Sequence, residues 1–233
     1  MKKLSCMIGL VLGLVLAVQP LWAQTTRVGL RGGVNLARWY FEDDTDIDKD
    51  WIKDLPGLYI AAPVEVEVSN HFAVQPELAF VRKGVRLNYE DSDETSTFKI
   101  DARTKLDYLS LDMLLKGKFG TDILQFYAVG GPGIAYATKG KVAMELTAGN
   151  GTTTTEEETA DIDFKEDNVS RFDFSMLFGA GIEVPLGTGN FVLDARYNLG
   201  LQNLNTDDDA TPQQKIFNRG VMFSAGFVIP IGK

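Results

Sequence analysis

The chain has one cysteine and one histidine in 233 residues, and both scarcities exclude chemistry. Cys6 has no partner within the chain, so neither an internal disulfide nor a thiolate zinc site is available. His71 falls in Ser69-Asn70-His71, which reads as a tight turn, away from the acid or nucleophile that an imidazole-dependent hydrolase requires. Cations are the minority, 23 Lys and Arg against 32 Asp and Glu, and a net charge of -9 argues against nucleic-acid binding. No apolar run after Val18 is long enough for a membrane-crossing helix, so a seat in a membrane would require a closed barrel. Little of the chain repeats with a helical period.

The N-terminus carries a different signal. Met1-Lys2-Lys3 precedes the apolar run Met7 to Val18 (MIGLVLGLVLAV), followed by Pro20 and Leu21-Trp22-Ala23. This is the layout of a secretory signal peptide, expected over residues 1–23 and cleaved before Gln24. Cleavage would remove Cys6 and two lysines, taking the net charge from -9 to -11. Residues 24–233 would then form a single domain.

Within that domain, period-two alternation recurs eight times. Val28, Leu30, Val34 and Leu36 alternate with Arg27, Arg31 and Asn35; Leu58, Ile60, Ala62 and Val64 with Tyr59, Glu65 and Glu67. Phe72, Val74, Pro76, Leu78 and Phe80 oppose Gln75 and Glu77, and a slip of one residue is expected at Arg82-Lys83-Gly84, before Val85 and Leu87. Leu109, Leu111, Met113 and Leu115 oppose Tyr108, Ser110, Asp112, Lys116 and Lys118, with Leu114 an exception. The segment FYAVGGPGIAYA is small and apolar on both faces. Phe172 to Val184, Phe191 to Leu201 and Val221 to Ile231 complete the set, with Asp173, Glu183, Asp194, Arg196 and Ser224 on their polar faces.

Connections alternate as well. Short turns fall near 69–71, 119–122 and 186–190, and long ones at about 38–56, 88–103, 138–170 and 204–215. The expected fold is therefore all-β: an eight-stranded antiparallel up-and-down transmembrane β-barrel, with strands of about ten residues, both ends periplasmic and four external loops. Trp39, Tyr40, Phe41, Tyr89, Phe72, Phe119, Phe126, Phe172 and Phe191 near strand ends are expected to form interfacial girdles. The acidic tract TAGNGTTTTEEETADID reads as a solvated loop.

Arg31, Glu65, Glu77, Lys116, Glu183 and Arg196 all fall on inner faces near the periplasmic strand ends. Eight strands leave an interior just wide enough for side chains, so these charges are expected to pair as a structural network that plugs the lumen. A narrow pore for small solutes is the alternative reading of the same residues. Asp44, Asp46 and Asp48 alternate as in a calcium loop, but Lys49 and Leu55 stand where glycine and glutamate are required. Gly130-Gly131-Pro132-Gly133 lacks the lysine and helix of a phosphate loop. No catalytic residue, metal site or cofactor is expected.

Five stretches in order, VGLRGGVNLA, QPELAFVRKG, LDYLSLDMLLKGKFG, YAVGGPG and LDARYNLGLQNL, resemble the PorT-like outer-membrane β-barrel family, which is porin-like. Asp112 departs from the proline usual there. The resemblance implies an eight-stranded barrel in a Gram-negative outer membrane, with a part in an envelope secretion apparatus as one alternative role. The expected role is structural, adhesive or surface-interacting. Expected partners are outer-membrane lipid, the barrel-assembly machinery during insertion, and an external protein or cation at the acidic loops. A soluble lipocalin-like ligand-binding barrel is the competing fold; it would put apolar residues inside and charges outside.

Overall fold

Strands with one oily and one polar face satisfy both only if the sheet closes, because a closed sheet has one inside and no edge. The computed structural model, which describes residues 25–42, 48–92, 97–149, 153–207 and 214–231, shows this closure. The expected signal peptide, together with Asp44 and Asp46, lies outside the described residues. The strands are β1 (Thr26–Glu42), β2 (Ile52–Lys53), β3 (Leu55–Glu67), β4 (Phe72–Ser92), β5 (Thr97–Gly120), β6 (Gln125–Gly149), β7 (Thr153–Asp161), β8 (Phe172–Leu186), β9 (Gly189–Gly200) and β10 (Lys215–Ile231). Eight of them form the ring β1-β3-β4-β5-β6-β8-β9-β10, which closes where β10 pairs with β1; every pairing is antiparallel. The remaining two are additions: β2 pairs with β4 and β7 with β6.

The alternation becomes an inside and an outside. Leu30, Leu58, Leu78, Leu111, Phe174, Leu193 and Phe223 are exposed on the outer surface, whereas Arg31, Glu65, Glu77, Asp112, Asp173, Asp194 and Ser224 are buried. Charges inside and hydrocarbon outside are the reverse of a lipocalin-like barrel. The unassigned segment sorts too, with Tyr127, Val129, Ala135 and Ala137 buried and Phe126, Ile134 and Tyr136 exposed. Leu114, the exception, is fully buried among Tyr59, Tyr108, Leu177 and Met222. Short turns follow from local chemistry: Ser69 Oγ accepts from the amides of His71 and Phe72 at 3.3 and 3.2 Å. Gly187, with φ of 64°, turns the chain between β8 and β9. Opposite Gln75 and Pro76 the β3–β4 ladder lapses, passing from Pro63↔Glu77 to Val66↔Val74, since proline has no N–H to give.

Three expectations change. Strands are not all near ten residues: β4, β5 and β6 have 21, 24 and 25, so much of 88–103 and 138–170 is strand. The acidic tract TTTEEETAD is itself the strand β7, its backbone held against β6 from Lys141↔Asp161 to Gly149↔Thr153. No slip occurs at Arg82-Lys83-Gly84, because Lys83 and Val85 are both buried in phase with Val81. The irregularity lies instead in β6, where Thr138 is passed over between Asp107↔Lys139 and Tyr108↔Ala137.

The aromatic girdles are also redrawn. Phe72, Phe119, Phe126 and Phe191 ring the short-turn end, with Phe119 and Phe126 stacked at 5.7 Å. Tyr40, Tyr136 and Phe172 mark the other end, the last two in edge contact at 5.2 Å. Trp39 does not join them; it packs against the barrel's apolar core. Tyr89 lies beyond the barrel, against Trp51.

Candidate functional site

Because the short turns mark the periplasmic end, the lumen can be described from that end outward. In the lowest layer Lys116 Nζ sits between Glu65 Oε2 at 2.6 Å and Glu183 Oε2 at 2.9 Å. Lys118 Nζ holds Glu65 Oε1 at 2.9 Å and Glu67 Oε1 at 2.5 Å. Arg27, partly exposed at the rim, reaches Glu67 and Glu65 at 2.6 and 3.2 Å, and Asn190 donates to Glu183 at 2.6 Å. The Lys116 ammonium also lies 4.2 Å from the centre of the Tyr127 ring.

The second layer is built on two carboxylates. Glu77 Oε1 accepts from Tyr59 OH at 2.5 Å and Arg196 Nη1 at 3.1 Å, and its Oε2 from Arg31 and from Gln75 at 3.1 Å. Asp194 Oδ2 accepts from Arg31 at 2.5 Å, Arg196 Nη2 at 2.9 Å and Tyr127 OH at 2.9 Å, and its Oδ1 from Ser224 at 2.5 Å. Every carboxylate oxygen is thus taken. What the layer does is brace the wall, tying β1, β3, β4, β6, β9 and β10 together across the interior.

Above it, Lys83 Nζ binds Asp173 Oδ2 at 2.8 Å and Asn198 Oδ1 at 3.3 Å, and Asn218 donates to Asp173 Oδ2 at 2.9 Å. Asp112 is held by Ser110 Oγ at 2.5 Å, with no cation within 4.0 Å among the described residues. The external mouth is apolar: Leu106, Ala137 and Phe164 are buried there, with Trp39, Ile162 and Val169 packed against them. Phe164 and Val169 come from the segment after β7, which folds back over the mouth and is pinned by Val169 N to Phe164 O at 3.0 Å and by a bridge from Val169 to Asn205.

All six lumen residues named from the sequence are buried, but they fall in two groups instead of one. Lys116 joins Glu65 and Glu183; Arg31 and Arg196 share Glu77. The expected network omits Lys83 and Tyr127, and also Tyr59, Lys118, Asp173 and Asp194, which the alternation had already placed on polar faces. Asp194 and Lys118 share parity with Arg196 and Lys116 two residues away, which was signal enough to include them.

Outside the barrel, β2, β4, β5, β6 and β7 continue as a five-stranded sheet. One face is apolar: Trp51, Leu87, Tyr89, Ile100, Ala102 and Met144 line a hollow of about 420 Å³, with Trp51 and Tyr89 in edge contact at 4.8 Å. The other is charged, and Asp101 sits there under Arg86 and Arg103, which donate at 2.9 and 2.8 Å. Burial opposes ionisation of Asp101, but the two guanidinium hydrogen bonds outweigh it and hold its pKa down to about 2. β7 carries Glu156, Glu157 and Glu158 and is hydrogen-bonded on one side only among the described strands.

A closed eight-stranded antiparallel barrel with an apolar exterior, two aromatic girdles and a charged interior is an outer-membrane β-barrel. Residues 22–205 match the outer membrane protein beta-barrel domain family, and the chain belongs to it. The sequence has no match among curated proteins. Solved structures similar to the chain include three from other bacteria. Neisserial surface protein A (NspA) is 12% identical, covering 88% of this chain and 97% of its own, at a TM-score of 0.45. Ail, the attachment invasion locus protein of Yersinia pestis, is 17% identical over 88% of this chain and 99% of its own, at 0.38. The N-terminal barrel domain of Pseudomonas aeruginosa OprF is 11% identical over 89% and 99%, at 0.35.

Proposed function

We propose that the protein is a non-enzymatic surface-interaction protein, in which a sealed barrel anchors the external sheet and the sheet makes the contacts. The observation that carries this reading is strand length. A tilted strand needs about 9–11 residues to cross the hydrocarbon, and β4, β5 and β6 have 21, 24 and 25. The excess is paired sheet, which implies a rigid display element instead of a loose loop. Its acidic open edge at β7 suits a cationic extended segment of an external protein, whose backbone would extend the sheet. A second copy suits it poorly, since antiparallel self-pairing about Glu157 would set glutamates opposite glutamates.

The ion pairs that cross the lumen at Glu65, Glu77, Asp173, Glu183 and Asp194 support an anchoring role over solute passage. His71, exposed in a turn at the periplasmic end, supports the absence of catalysis. On its ordered motifs we assign the chain to the PorT-like branch of the barrel proteins, exported through a cleaved signal peptide to the Gram-negative outer membrane. The test replaces residues 87–102 and 143–160 by tight turns and compares adhesion of intact cells displaying either form. Adhesion that depends on the sheet is expected. Equal adhesion would refute the display role, and steady single-channel conductance of the wild type in planar bilayers would refute the sealed anchor.

A further inference from the structure

The outward face changes character where the apolar belt ends and the external sheet begins. At that latitude the outward positions carry Arg38 on β1, Arg82 on β4, Lys105 on β5, Lys139 on β6 and Arg219 on β10. The carboxylates among them are Asp54, paired with Arg38, and Asp107, paired with Arg82. A chain of net charge -9 has therefore placed an excess of cations at one height.

The excess is sharpest at the seam that closes the barrel. Arg38 and Arg219 stand directly opposite one another in the β1–β10 register. Like charges opposite each other on one face destabilise a sheet unless a counter-charge joins them. Arg38 has Asp54, at 2.8 Å, with both side chains about half exposed. Arg219 lies over the Tyr40 ring at 5.2 Å and donates to the carbonyl of Gly200 at 3.0 Å, with no carboxylate within 4.0 Å among the described residues. Below the two guanidiniums, Leu36, Tyr197, Leu199 and Val221 lead down into the lipid-facing belt, and together they line a groove of about 720 Å³.

We propose that this seam groove binds the phosphate-bearing headgroup of an acylated lipid in the outer leaflet. Arg219 supplies the planar fork that matches a phosphate, Arg38 the second charge, and an acyl chain lies along Leu36, Val221 and Tyr197. A neutral lipid would leave Arg219 without a counter-charge, and free phosphate would leave the apolar floor unused. The groove requires only that β1, β9 and β10 face lipid as assigned, whatever the external sheet binds.

The test uses the folded full-length barrel in neutral detergent and three probes: a diphosphorylated, multiply acylated glucosamine lipid, the same lipid without its phosphates, and inorganic phosphate. Lipid retained on the protein is counted by native mass spectrometry, and the heat-induced gel shift reports the unfolding midpoint. The phosphorylated lipid is expected to be retained and to raise the midpoint. Losing its phosphates, or substituting Arg219→Gln, should weaken retention about fivefold, and R38Q/R219Q should weaken it further. Lys99→Gln, on the external sheet, should leave it unchanged. Equal retention of the dephosphorylated lipid, equal retention by R219Q, or displacement of the lipid by millimolar inorganic phosphate would each overturn the proposal. The three-probe comparison on the wild type stands even if a variant fails to fold.

Discussion

Arg196→Met is the sharpest test of the braced lumen. Arg196 is 1% exposed and is the largest fully buried side chain of the barrel. Removing its guanidinium takes one donor from Glu77 and two from Asp194 while leaving both carboxylates in place. Deleting one partner of a buried ion pair typically costs about 3–5 kcal/mol, because the remaining charge is stranded in a low dielectric. Here neither carboxylate is left alone. Glu77 keeps Arg31, Tyr59 and Gln75, and Asp194 keeps Arg31, Tyr127 and Ser224. The loss should therefore lie at the low end, about 3 kcal/mol.

The reference is the exposed pair Lys99–Glu90 at 3.3 Å, where Lys99→Gln should cost about 0–1 kcal/mol. Urea unfolding in lipid vesicles, followed by tryptophan fluorescence and by the heat-dependent gel shift, measures both. R196M/D194N removes one charge of each sign and should recover part of the loss, giving a coupling term in the double-mutant cycle. If R196M falls within about 1 kcal/mol of wild type, the interior is hydrated enough to screen its charges, and the bracing argument fails.

Leu111, opposite Leu78 and half exposed on the outer surface, should not tolerate arginine; L111R is expected to cost about 2–4 kcal/mol, and an unchanged folded fraction on an unheated gel would contradict its lipid-facing assignment. Gly84 has φ of 144°, and a Cβ there would meet the Thr104 carbonyl at 1.9 Å. G84A should therefore lose about 1–3 kcal/mol, read as a lower urea midpoint. Asp101 titrates at about 2 in the folded sheet against an ordinary 3.8, so the stability it lends is full above pH 3.8 and lost as pH falls through about 2. Amide exchange over 86–103 should be faster in D101N than in wild type at pH 6, and the same in both below pH 2; a difference that persists there would contradict the ion-pair account.

The barrel was legible because lipid imposes a strict rule. Where hydrocarbon lies on one side and a packed polar lumen on the other, every second residue declares its face, and runs such as Leu58 to Glu67 or Phe191 to Leu201 can be assigned by counting. The external sheet was illegible for the same reason. Above the membrane the outer face meets water, so Arg86, Asp101 and Arg103 stand there, while the inner face carries Leu87, Tyr89 and Ile100. Along β4 and β5 parity is unbroken but its polarity is inverted. An apolar-outside rule therefore mistakes the crossing for a slip, and the slip expected at Arg82-Lys83-Gly84 was this inversion. Pairings across the lumen are a different matter. Arg31 and Asp194 are 163 residues apart, and counting can name both as inward without saying that they meet.

The lumen holds two materials whose order matters. Among the described residues, five buried cations, Arg31, Lys83, Lys116, Lys118 and Arg196, face six buried carboxylates, Glu65, Glu77, Asp112, Asp173, Glu183 and Asp194. Such a set is stable only while its pairing is nearly complete, since an unpaired buried charge costs more than a pair returns. Completeness in turn needs water kept out, because bulk water would compete for the same donors. The apolar mouth built by Leu106, Phe164 and Trp39 lies at the external end, where solvent would otherwise enter. Opening a path for solutes would have to displace that cover and then break several ion pairs together. A wall braced in this way is suited to holding three long strands upright. Their shared root at Val85, Leu106 and Gly140 is buried directly beside the apolar mouth, where Leu106 and Ile162 pack against the backbone of Gly140. The base of the external sheet is thereby packed onto the braced interior.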